Sequence, residues 1–403
     1  MKQLFFSLIL RLFSSGSTLL FTFISTKIYG LNLIGEFGLF LGLTVILQII
    51  FSFGMETTFF LTINNANDKS KYQTIKCLFR NHLKFSLPLA ILFFLTFCKI
   101  IDYSVLTILI ALIISRLQLN AYYFRTRSVN SFIFFQHNNI NLFSIPFLFA
   151  IPKNFDFINP IIISFCLGSV IFLILSQIRK ITYSNSKVLS DSGSNYSLSL
   201  SKQLNESKEY FFIDLINYVF NWIPIFIIYF FLDSLSVGVY YNILKLGSVF
   251  LILFFLLETN LMKSLHEISI DFSLKAYQSI KRTKKLILLL SLMILMIFAF
   301  QANEILIIIE QDLNRYKTEL IVYSFSQIIL IFFGPQSQFM KLSKNQNILR
   351  NILIFTSTIN VLLSFILIKF FNLQGVFISI FISNLVWNIY LRYFIFKNYN
   401  LTL

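Results

Sequence analysis

The stretch LFFSLILRLFSSGSTLLFTF, residues 4–23, is almost entirely apolar or small and carries one charge, Arg11. A helix of this length can cross the hydrocarbon core of a bilayer, which is roughly 30 Å thick. Similar runs recur along the whole 403-residue chain, which is 57% hydrophobic and 12% charged. Helices satisfy their own backbone hydrogen bonds, as lipid requires. The sequence therefore predicts an all-α membrane protein that crosses the bilayer many times.

The apolar runs predict twelve spans. We interpret the first as a retained span rather than a secretory signal, because Arg11 interrupts it and no small-residue cleavage site follows. The predicted spans cover about 4–29, 35–62, 85–103, 104–124, 131–151, 158–178, 208–232, 235–262, 285–303, 318–340, 350–370 and 374–396.

The distribution of basic residues predicts the orientation. If the amino terminus is cytoplasmic, 24 of the 33 Lys and Arg residues fall in inner segments and six in outer segments. This asymmetry follows the positive-inside rule, so we expect both termini in the cytoplasm and the protein in the cytoplasmic (inner) membrane. The net charge of +16 then orients the chain and faces anionic lipid, so it does not indicate a nucleic-acid partner.

A Ser-rich, weakly hydrophobic stretch at 181–207 divides the predicted spans into two sets of six. We interpret it as a flexible cytoplasmic linker between an N-terminal bundle, 1–180, and a C-terminal bundle, 208–403. A faint repeat supports this division, since LNLIGEFGLF at 31–40 resembles DSLSVGVYYN at 233–242, and FGMET at 53–57 resembles FLLET at 255–259. Repeated halves are typical of transporters.

Polar and charged side chains lie at helical spacing within several spans. Such residues are costly in lipid, so they predict a water-accessible cavity shared by both halves. Deep cations outnumber deep acids, which predicts an anionic ligand. The candidate binding residues are Arg11, Arg116, Lys245, Asn120, Asn217 and Asn221, and the candidate proton or cation coupling residues are Asp214 and Glu56.

Structural interpretations remain open for the same pattern. Ser and Thr side chains in membrane helices often bond to their own backbone or to a neighbouring helix. Glu56 lies near a cytoplasmic end, where it could pair with basic loops, and His137 fits a hydrogen-bonded core position. The soluble-enzyme motifs GxGxxG, HExxH and GxSxG are absent from the sequence, as is a phosphate-binding loop. The sequence therefore predicts neither an enzyme nor a bound metal or cofactor.

The segment ISTKIYGLNLIGEFGLFLGLTVILQIIFSFGMETT, 24–58, resembles the Wzx-type oligosaccharide-lipid flippases of O-antigen and capsule synthesis. The features that carry the resemblance are Ile28-Tyr29-Gly30, Gly35-Glu36-Phe37-Gly38 and Phe53-Gly54-Met55-Glu56. They extend over about 50 residues, whereas the predicted span number, central linker and size resemble the family along most of the chain.

The resemblance implies the multidrug/oligosaccharidyl-lipid/polysaccharide exporter superfamily. It implies a MATE-like fold of two six-helix bundles around a central V-shaped cavity, with alternating access. The implied substrate is an undecaprenyl-diphosphate-linked oligosaccharide, such as an O-antigen (lipopolysaccharide) or capsule repeat unit. It would move from the inner to the outer leaflet, and a polysaccharide polymerase and chain-length machinery would be partners. Arg11 and Arg116 match the cationic cavity of the family by residue type and depth, and Lys245 matches it less closely.

Two other functions compete with the flippase. A drug/cation antiporter of the same superfamily would use a cavity acid, for which Asp214 is the best candidate. The surplus of deep cations argues against it, because like charges repel strongly in a dry site. A polysaccharide polymerase would also be polytopic, but it would carry a large outer loop, and the sequence contains none.

Overall fold

The computed structural model describes residues 2–65, 71–97, 104–125, 129–136, 139–152, 158–185, 199–270, 273–343 and 345–401. Every regular element in these ranges is helical. The α-helices are α1 Lys2–Ser52, α2 Met55–Asn65, α3 Lys71–Phe97, α4 Ser104–Arg125, α5 Val129–Phe134, α6 Ile140–Ala150, α7 Pro160–Asn185, α8 Leu200–Phe231, α9 Ser234–Ile270, α10 Leu274–Ile309, α11 Lys317–Phe333, α12 Gln336–Leu342 and α13 Gln346–Tyr399, and a 3-10 helix spans Gln311–Tyr316.

Nine helices in the described ranges are long and apolar enough to cross a membrane. Two of them are much longer than one crossing requires, since α1 has 51 residues and α13 has 54, or about 75–80 Å each. A non-helical residue divides each one: Gly30 in α1 with a φ of 84°, and Asn372 in α13 with a φ of 48°. Each half is about as long as one span, and the number twelve stays a prediction.

Several predicted spans differ from the helices. The predicted span 35–62 is interrupted at Phe53 and Gly54, which both have positive φ, and α2 begins after them. The predicted span 131–151 is divided into α5 and α6, and Asn139 between them donates to the carbonyl oxygens of Ile133 and Phe134. Gly334 ends α11 before α12 begins, inside the predicted span 318–340. A hydropathy window does not register breaks as short as these.

Helices also extend beyond the apolar windows. Helix α3 begins at Lys71 rather than near residue 85, and α10 begins at Leu274 rather than near residue 285. Their first turns carry several Lys and Arg residues, which charge-sensitive windows assign to loops. Residues 181–185 end α7 and residues 200–207 begin α8, so these parts of the predicted linker are helical. The middle of the predicted linker, 186–198, lies outside the described residues.

The chain divides into two compact units. The first comprises Met1–Ser25 and Phe37–Tyr218, and the second comprises Thr26–Glu36 and Val219–Leu403. This division differs from the predicted bundles at 1–180 and 208–403 in two respects. The boundary falls inside α8, and an eleven-residue piece of α1 belongs with the second unit.

In the first unit, an aromatic core joins α1 to α7. The rings of Phe21 and Phe37 are 5.5 Å apart, and the rings of Phe37 and Phe165 are 5.4 Å apart. Small residues allow α6 to approach α7, because a Cβ added at Gly168 would overlap Ser144. Close approach at small residues is a general device of membrane helices, since lipid supplies no hydrophobic force between helices.

In the second unit, residues 31–36, which begin the first of the two similar segments, pack directly against the second segment, 233–242. A Cβ at Gly35 would overlap the carbonyl oxygen of Ser234, and a Cβ at Gly238 would overlap the carbonyl oxygen of Leu31. Nearby, the Thr26 hydroxyl donates to Asn242 Oδ1 over 3.1 Å. These contacts explain why residues 26–36 belong with the second unit.

Large apolar side chains cover much of the outer surface. Phe300 is 85% exposed and Phe230 is 78% exposed, and both lie on helices that are long enough to span a bilayer. Exposed apolar surface of this extent is unfavourable in water and is expected where acyl chains contact the protein. The chain is therefore a multi-pass membrane protein.

Candidate functional site: a basic cluster and an acidic pair in the first unit

Two cations lie over one buried aromatic ring in the first unit. The guanidinium carbon of Arg116 is 4.2 Å from the ring centroid of Phe79, and Nζ of Lys180 is 3.0 Å from the same centroid. Phe79 is buried, whereas Arg116 and Lys180 are half-buried. We call Phe79, Arg116 and Lys180 the basic cluster.

Three neighbouring helices each contribute two side chains, one helical turn apart, to this region. Phe79 and His82 lie one turn apart on α3, and Arg116 and Asn120 lie one turn apart on α4. Ser176 and Lys180 have the same spacing on α7, and Asn120 Nδ2 donates to Ser176 Oγ over 2.9 Å. Because α4 packs against both α3 and α7, the three helices bring these side chains together.

The basic cluster is short of negative charge. Nη1 of Arg116 is buried and has no hydrogen-bond partner among the described residues. The charged group that acts on Lys180 is Arg116, and no carboxylate in the described ranges acts on either cation. A desolvated cation–π contact contributes about 2 kcal/mol, whereas burying an ion costs several kcal/mol. An anion between the two cations would offset this cost.

Further buried polar atoms without partners in the described structure occur on α3, α4 and α8 of the same unit. His82 is 1% exposed, and both of its ring nitrogens lack hydrogen-bond partners in the described structure. Oδ1 of Asn120 and the hydroxyl oxygen of Ser86 are also unpaired. At the start of α8, Gln203 accepts a hydrogen bond from Asn81, while its own Nε2 remains unpaired. Buried polar groups usually have partners, so these atoms are candidates for contact with water or a polar ligand.

An acidic pair, Glu56 and Asp214, lies in the same unit. Glu56 is buried, and its Oε1 accepts a hydrogen bond of 3.1 Å from Nε2 of Gln48 on α1. The same Gln48 amide donates to Gln118 of α4. The charge of Asp214 acts on Glu56, and both acids act on Tyr122 of α4. The structure thus brings together the two acids that the sequence analysis proposed for coupling.

Glu56 is the second residue of α2, outside the nine candidate spans of the described ranges. Burial, together with the nearby carboxylate of Asp214, raises the pKa of its carboxyl group from 4.5 to about 8. At neutral pH the Glu56 carboxyl is therefore mostly protonated, because burial and the nearby charge of Asp214 both disfavour its ionised form. This arrangement can take up and release a proton near physiological pH.

A glutamine at position 56 should change the pH dependence of stability. A pKa that is raised on folding favours folding below pH 4.5, and this contribution is lost as the pH rises to about 8. We expect Glu56→Gln to unfold near the wild-type temperature at pH 5 and roughly 5 °C above it at pH 8. Thermal unfolding of the purified protein in detergent measures both differences.

The matched control for this prediction is Glu206→Gln, because Glu206 is an exposed residue of α8. It should follow the wild-type protein at both pH values. A Glu56→Gln protein whose unfolding temperature differs from wild type by the same amount at pH 5 and pH 8 would show that Glu56 does not titrate in this range.

The other predicted residues take different positions. The backbone of Arg11 lies in α1, but its side chain is outside the described residues, and His137 is outside them altogether. Asn217 and Asn221 are exposed on α8, on the same face as Asp214. An exposed amide row on an apolar helix is expected to face water rather than lipid.

Lys245 lies in the second unit. Its Nζ is 4.7 Å from the ring centroid of Tyr241, one turn earlier on α9. The structure thus places Arg116 and Asn120 together with the acidic pair in the first unit, and it places Lys245 in the second. The Ser and Thr positions largely follow the structural interpretation, since Thr22 donates to the Thr18 carbonyl oxygen over 3.0 Å and Thr44 to the Phe40 carbonyl oxygen over 2.8 Å.

Sequence reasoning missed three residues of the site. Lys180 was counted among the cations that orient the protein, because it lies where a predicted span ends. Phe79 is one of 51 Phe residues, and His82 has no second His at metal spacing. One sequence pattern could have indicated Lys180. Ser176 and Lys180 are one helical turn apart, as are Asn120 and Arg116, so both pairs place a cation and a polar residue on one helix face.

Comparisons with known proteins identify the fold. No family model matches the sequence, and no curated protein matches it. Among solved structures, the lipid II flippase MurJ in an inward closed conformation has a TM-score of 0.73 at 16% identity, covering 97% of this chain and 87% of MurJ. An inward-facing multidrug resistance MATE family transporter of the MOP superfamily has a TM-score of 0.66 at 12% identity, covering 95% of this chain and 96% of that chain.

A MOP superfamily transporter from Pyrococcus furiosus Vc1, described as having a binding pocket of reversed polarity, has a TM-score of 0.60 at 12% identity, covering 96% of this chain and 92% of that chain. At these identities the likeness concerns the fold. The predicted all-helical, MATE-like membrane fold is confirmed: this chain has the fold shared by the lipid II flippase MurJ and the MATE transporters.

Proposed function

We propose that this chain is a flippase of the MOP superfamily that moves an undecaprenyl-diphosphate-linked oligosaccharide from the inner to the outer leaflet of the cytoplasmic membrane. The observation that carries the proposal is the basic cluster, in which the buried Nη1 of Arg116 has no partner in the described structure and Lys180 lies over the same ring. The fold shared with a lipid II flippase supports the same substrate class.

A diphosphate fits the basic cluster chemically. The guanidinium of Arg116 presents a planar fork that bonds two phosphate oxygens and keeps its charge. The ammonium of Lys180 acts as a second point charge toward the same anion. Attraction between these groups and phosphate is far stronger in a low-dielectric interior than in water. Arg11 is proposed as a further phosphate contact, and Lys245 as a cation on the path through the second unit.

The sugars and the lipid tail of the proposed substrate require different environments, the first polar and the second apolar. The exposed amides of Asn217 and Asn221 are proposed to bond sugar hydroxyls, together with the unpaired Oδ1 of Asn120. The polyprenyl tail would remain among the acyl chains. No covalent step is needed, so the proposed activity is transport by alternating access and not an enzymatic reaction. An O-antigen or capsule polymerase and its chain-length machinery would then act on the product in the outer leaflet.

We propose that protonation of the acidic pair drives the cycle. The pKa of about 8 for Glu56 matches the need of a carrier to bind a proton on one side of the membrane and release it on the other. The acidic pair is linked to the helix that carries Arg116, because Gln48 bonds both Glu56 and Gln118 of α4.

The acidic pair also supports a second candidate function, a drug/cation antiporter. The buried carboxylate of Glu56 and the half-buried carboxylate of Asp214, whose charge acts on it, could together bind an organic cation or a metal cation. The basic cluster in the same unit opposes this function, because two uncompensated cations repel a cationic drug in a dry site. The flippase is therefore the preferred function.

Reconstitution into liposomes distinguishes the two functions. Undecaprenyl-diphosphate-linked oligosaccharide is placed in both leaflets, and a membrane-impermeant glycosidase removes the sugars that reach the outer face. With active protein, more than half of the substrate should become accessible over time, whereas protein-free liposomes should stop at about half. Ethidium efflux driven by a pH gradient is measured in parallel. Ethidium efflux without oligosaccharide flipping would overturn the flippase and support the antiporter.

A further inference from the structure

A second basic surface lies in the second unit, on the first turns of α10 and the last turns of α13. The charges of Lys281 and Arg392 both act on Lys284, and Lys281 and Arg392 are exposed. Nζ of Lys281 is also 4.6 Å from the ring centroid of Tyr277. We call Lys281, Lys284 and Arg392 the basic patch.

The two helices that carry the basic patch contain little negative charge near it. Helix α13 has no Asp or Glu in its 54 residues, and the first acid in α10 is Glu304. The carboxyl end of α11 lies nearby, since the guanidinium carbon of Arg392 is 5.8 Å from the ring centroid of Phe333, the last residue of α11. A helix carboxyl terminus carries about half a negative charge, so it cannot balance three cations.

An open groove adjoins the basic patch. It has a volume of about 370 Å³ and is lined by Ile389, Arg392, Tyr393 and Phe396. Tyr393 is 63% exposed and Phe396 is 54% exposed. Aromatic side chains of this kind concentrate at the boundary between acyl chains and headgroups. Arg392 therefore belongs both to the charged patch and to the largely apolar groove.

We propose that the basic patch binds the headgroup of an anionic glycerophospholipid, with an acyl chain of the same lipid in the groove. The three cations attract the negatively charged phosphate, and the side chains of Ile389, Tyr393 and Phe396 offer apolar contacts to the acyl chain. A soluble anion would use only the charged half of this surface. The lipid would stabilise the second unit, because its headgroup would contact both α10 and α13.

This site is separate from the proposed substrate site. The basic cluster is built from α3, α4 and α7 of the first unit, whereas the basic patch is built from α10 and α13 of the second. Loss of lipid binding therefore leaves the proposed flippase site intact, and failure of the flippase proposal leaves the lipid site intact.

Lipid binding to the delipidated protein in detergent tests the proposal. Native mass spectrometry measures the affinity for phosphatidylglycerol and for phosphatidylcholine with the same acyl chains, and each titration is repeated with inorganic phosphate as competitor. The patch variant is Lys284→Gln/Arg392→Gln. The control is Arg282→Gln/Lys397→Gln, which removes the same charge from exposed positions on the same two helices. The single variant Lys281→Gln replaces the patch variant if the latter does not fold.

The wild-type protein and the control should prefer phosphatidylglycerol. The patch variant should lose at least about tenfold in affinity for phosphatidylglycerol with little change for phosphatidylcholine, and Lys281→Gln about fivefold. An equal loss in the control would mean a diffuse charge effect, and displacement of the lipid by millimolar phosphate would mean a soluble-anion site. Either result, or an unchanged patch variant, overturns the proposal.

Discussion

Replacement of Arg116 with Ala is expected to lower the rate of oligosaccharide-lipid flipping by roughly 30-fold or more. The reason is that Arg116 carries the buried guanidinium Nη1 that has no partner in the described protein, and a charge-assisted bond to phosphate would be lost. Arg116→Lys should retain part of the activity, because an ammonium keeps the charge but loses the planar fork. The initial flipping rate in liposomes, normalised to the amount of reconstituted protein, measures both effects.

The matched control for Arg116 is Arg80→Ala. Arg80 follows Phe79 on α3 but is exposed, so its removal takes away a cation without touching the basic cluster. Flipping should stay within about twofold of wild type. If Arg116→Ala also flips at the wild-type rate while folding normally, Arg116 has no part in transport and the phosphate site is not where we propose it.

Replacement of Gly35 or Gly238 with Ala is expected to prevent stable folding of the second unit. In each case the new methyl group would overlap a backbone carbonyl oxygen, that of Ser234 or that of Leu31. Backbone atoms cannot move aside as a side chain can, so we expect a cost of at least about 3 kcal/mol. Size-exclusion chromatography of the detergent-solubilised protein should show little folded material for either variant.

Gly16→Ala provides the control for these glycine variants. Gly16 is also in α1, but, apart from its own helix backbone and chain neighbours, no atom of the described residues lies within 4 Å of the position of its added Cβ. Because Ala favours a helix over Gly by about 1 kcal/mol, this variant should fold at least as well as wild type. If Gly35→Ala and Gly238→Ala behaved like Gly16→Ala, the two similar segments would not pack as closely as the structure shows.

The fold was largely predictable because lipid imposes one simple rule on the chain. Long apolar runs must be helical, and these runs are visible without any tertiary information. The breaks were less predictable because they depend on one or two residues. Asn372, which divides α13, and Phe53, which follows the end of α1, both have positive φ. The break at Gly334-Pro335 is the one that the sequence indicates most clearly.

The site was predictable only in part, for a related reason. Arg116 stands out because it is a single charge inside an apolar run, whereas Lys180 stands at the end of one. Which aromatic ring lies beneath a cation depends on how helices pack, and hydropathy carries no information on that. Both acids could be proposed as coupling residues from the sequence, but their proximity depends on the break at Gly54, which places Glu56 on a separate helix.

The affinity of the purified protein for undecaprenyl diphosphate, compared with that for undecaprenol, tests the central claim most directly. The two ligands share the same polyprenyl chain and differ only in the charged group. If Arg116 and Lys180 hold phosphate, the diphosphate should bind at least about 100-fold more tightly, and most of this difference should vanish in an Arg116→Ala/Lys180→Ala protein. Equal binding of the two ligands to the wild-type protein would contradict the account.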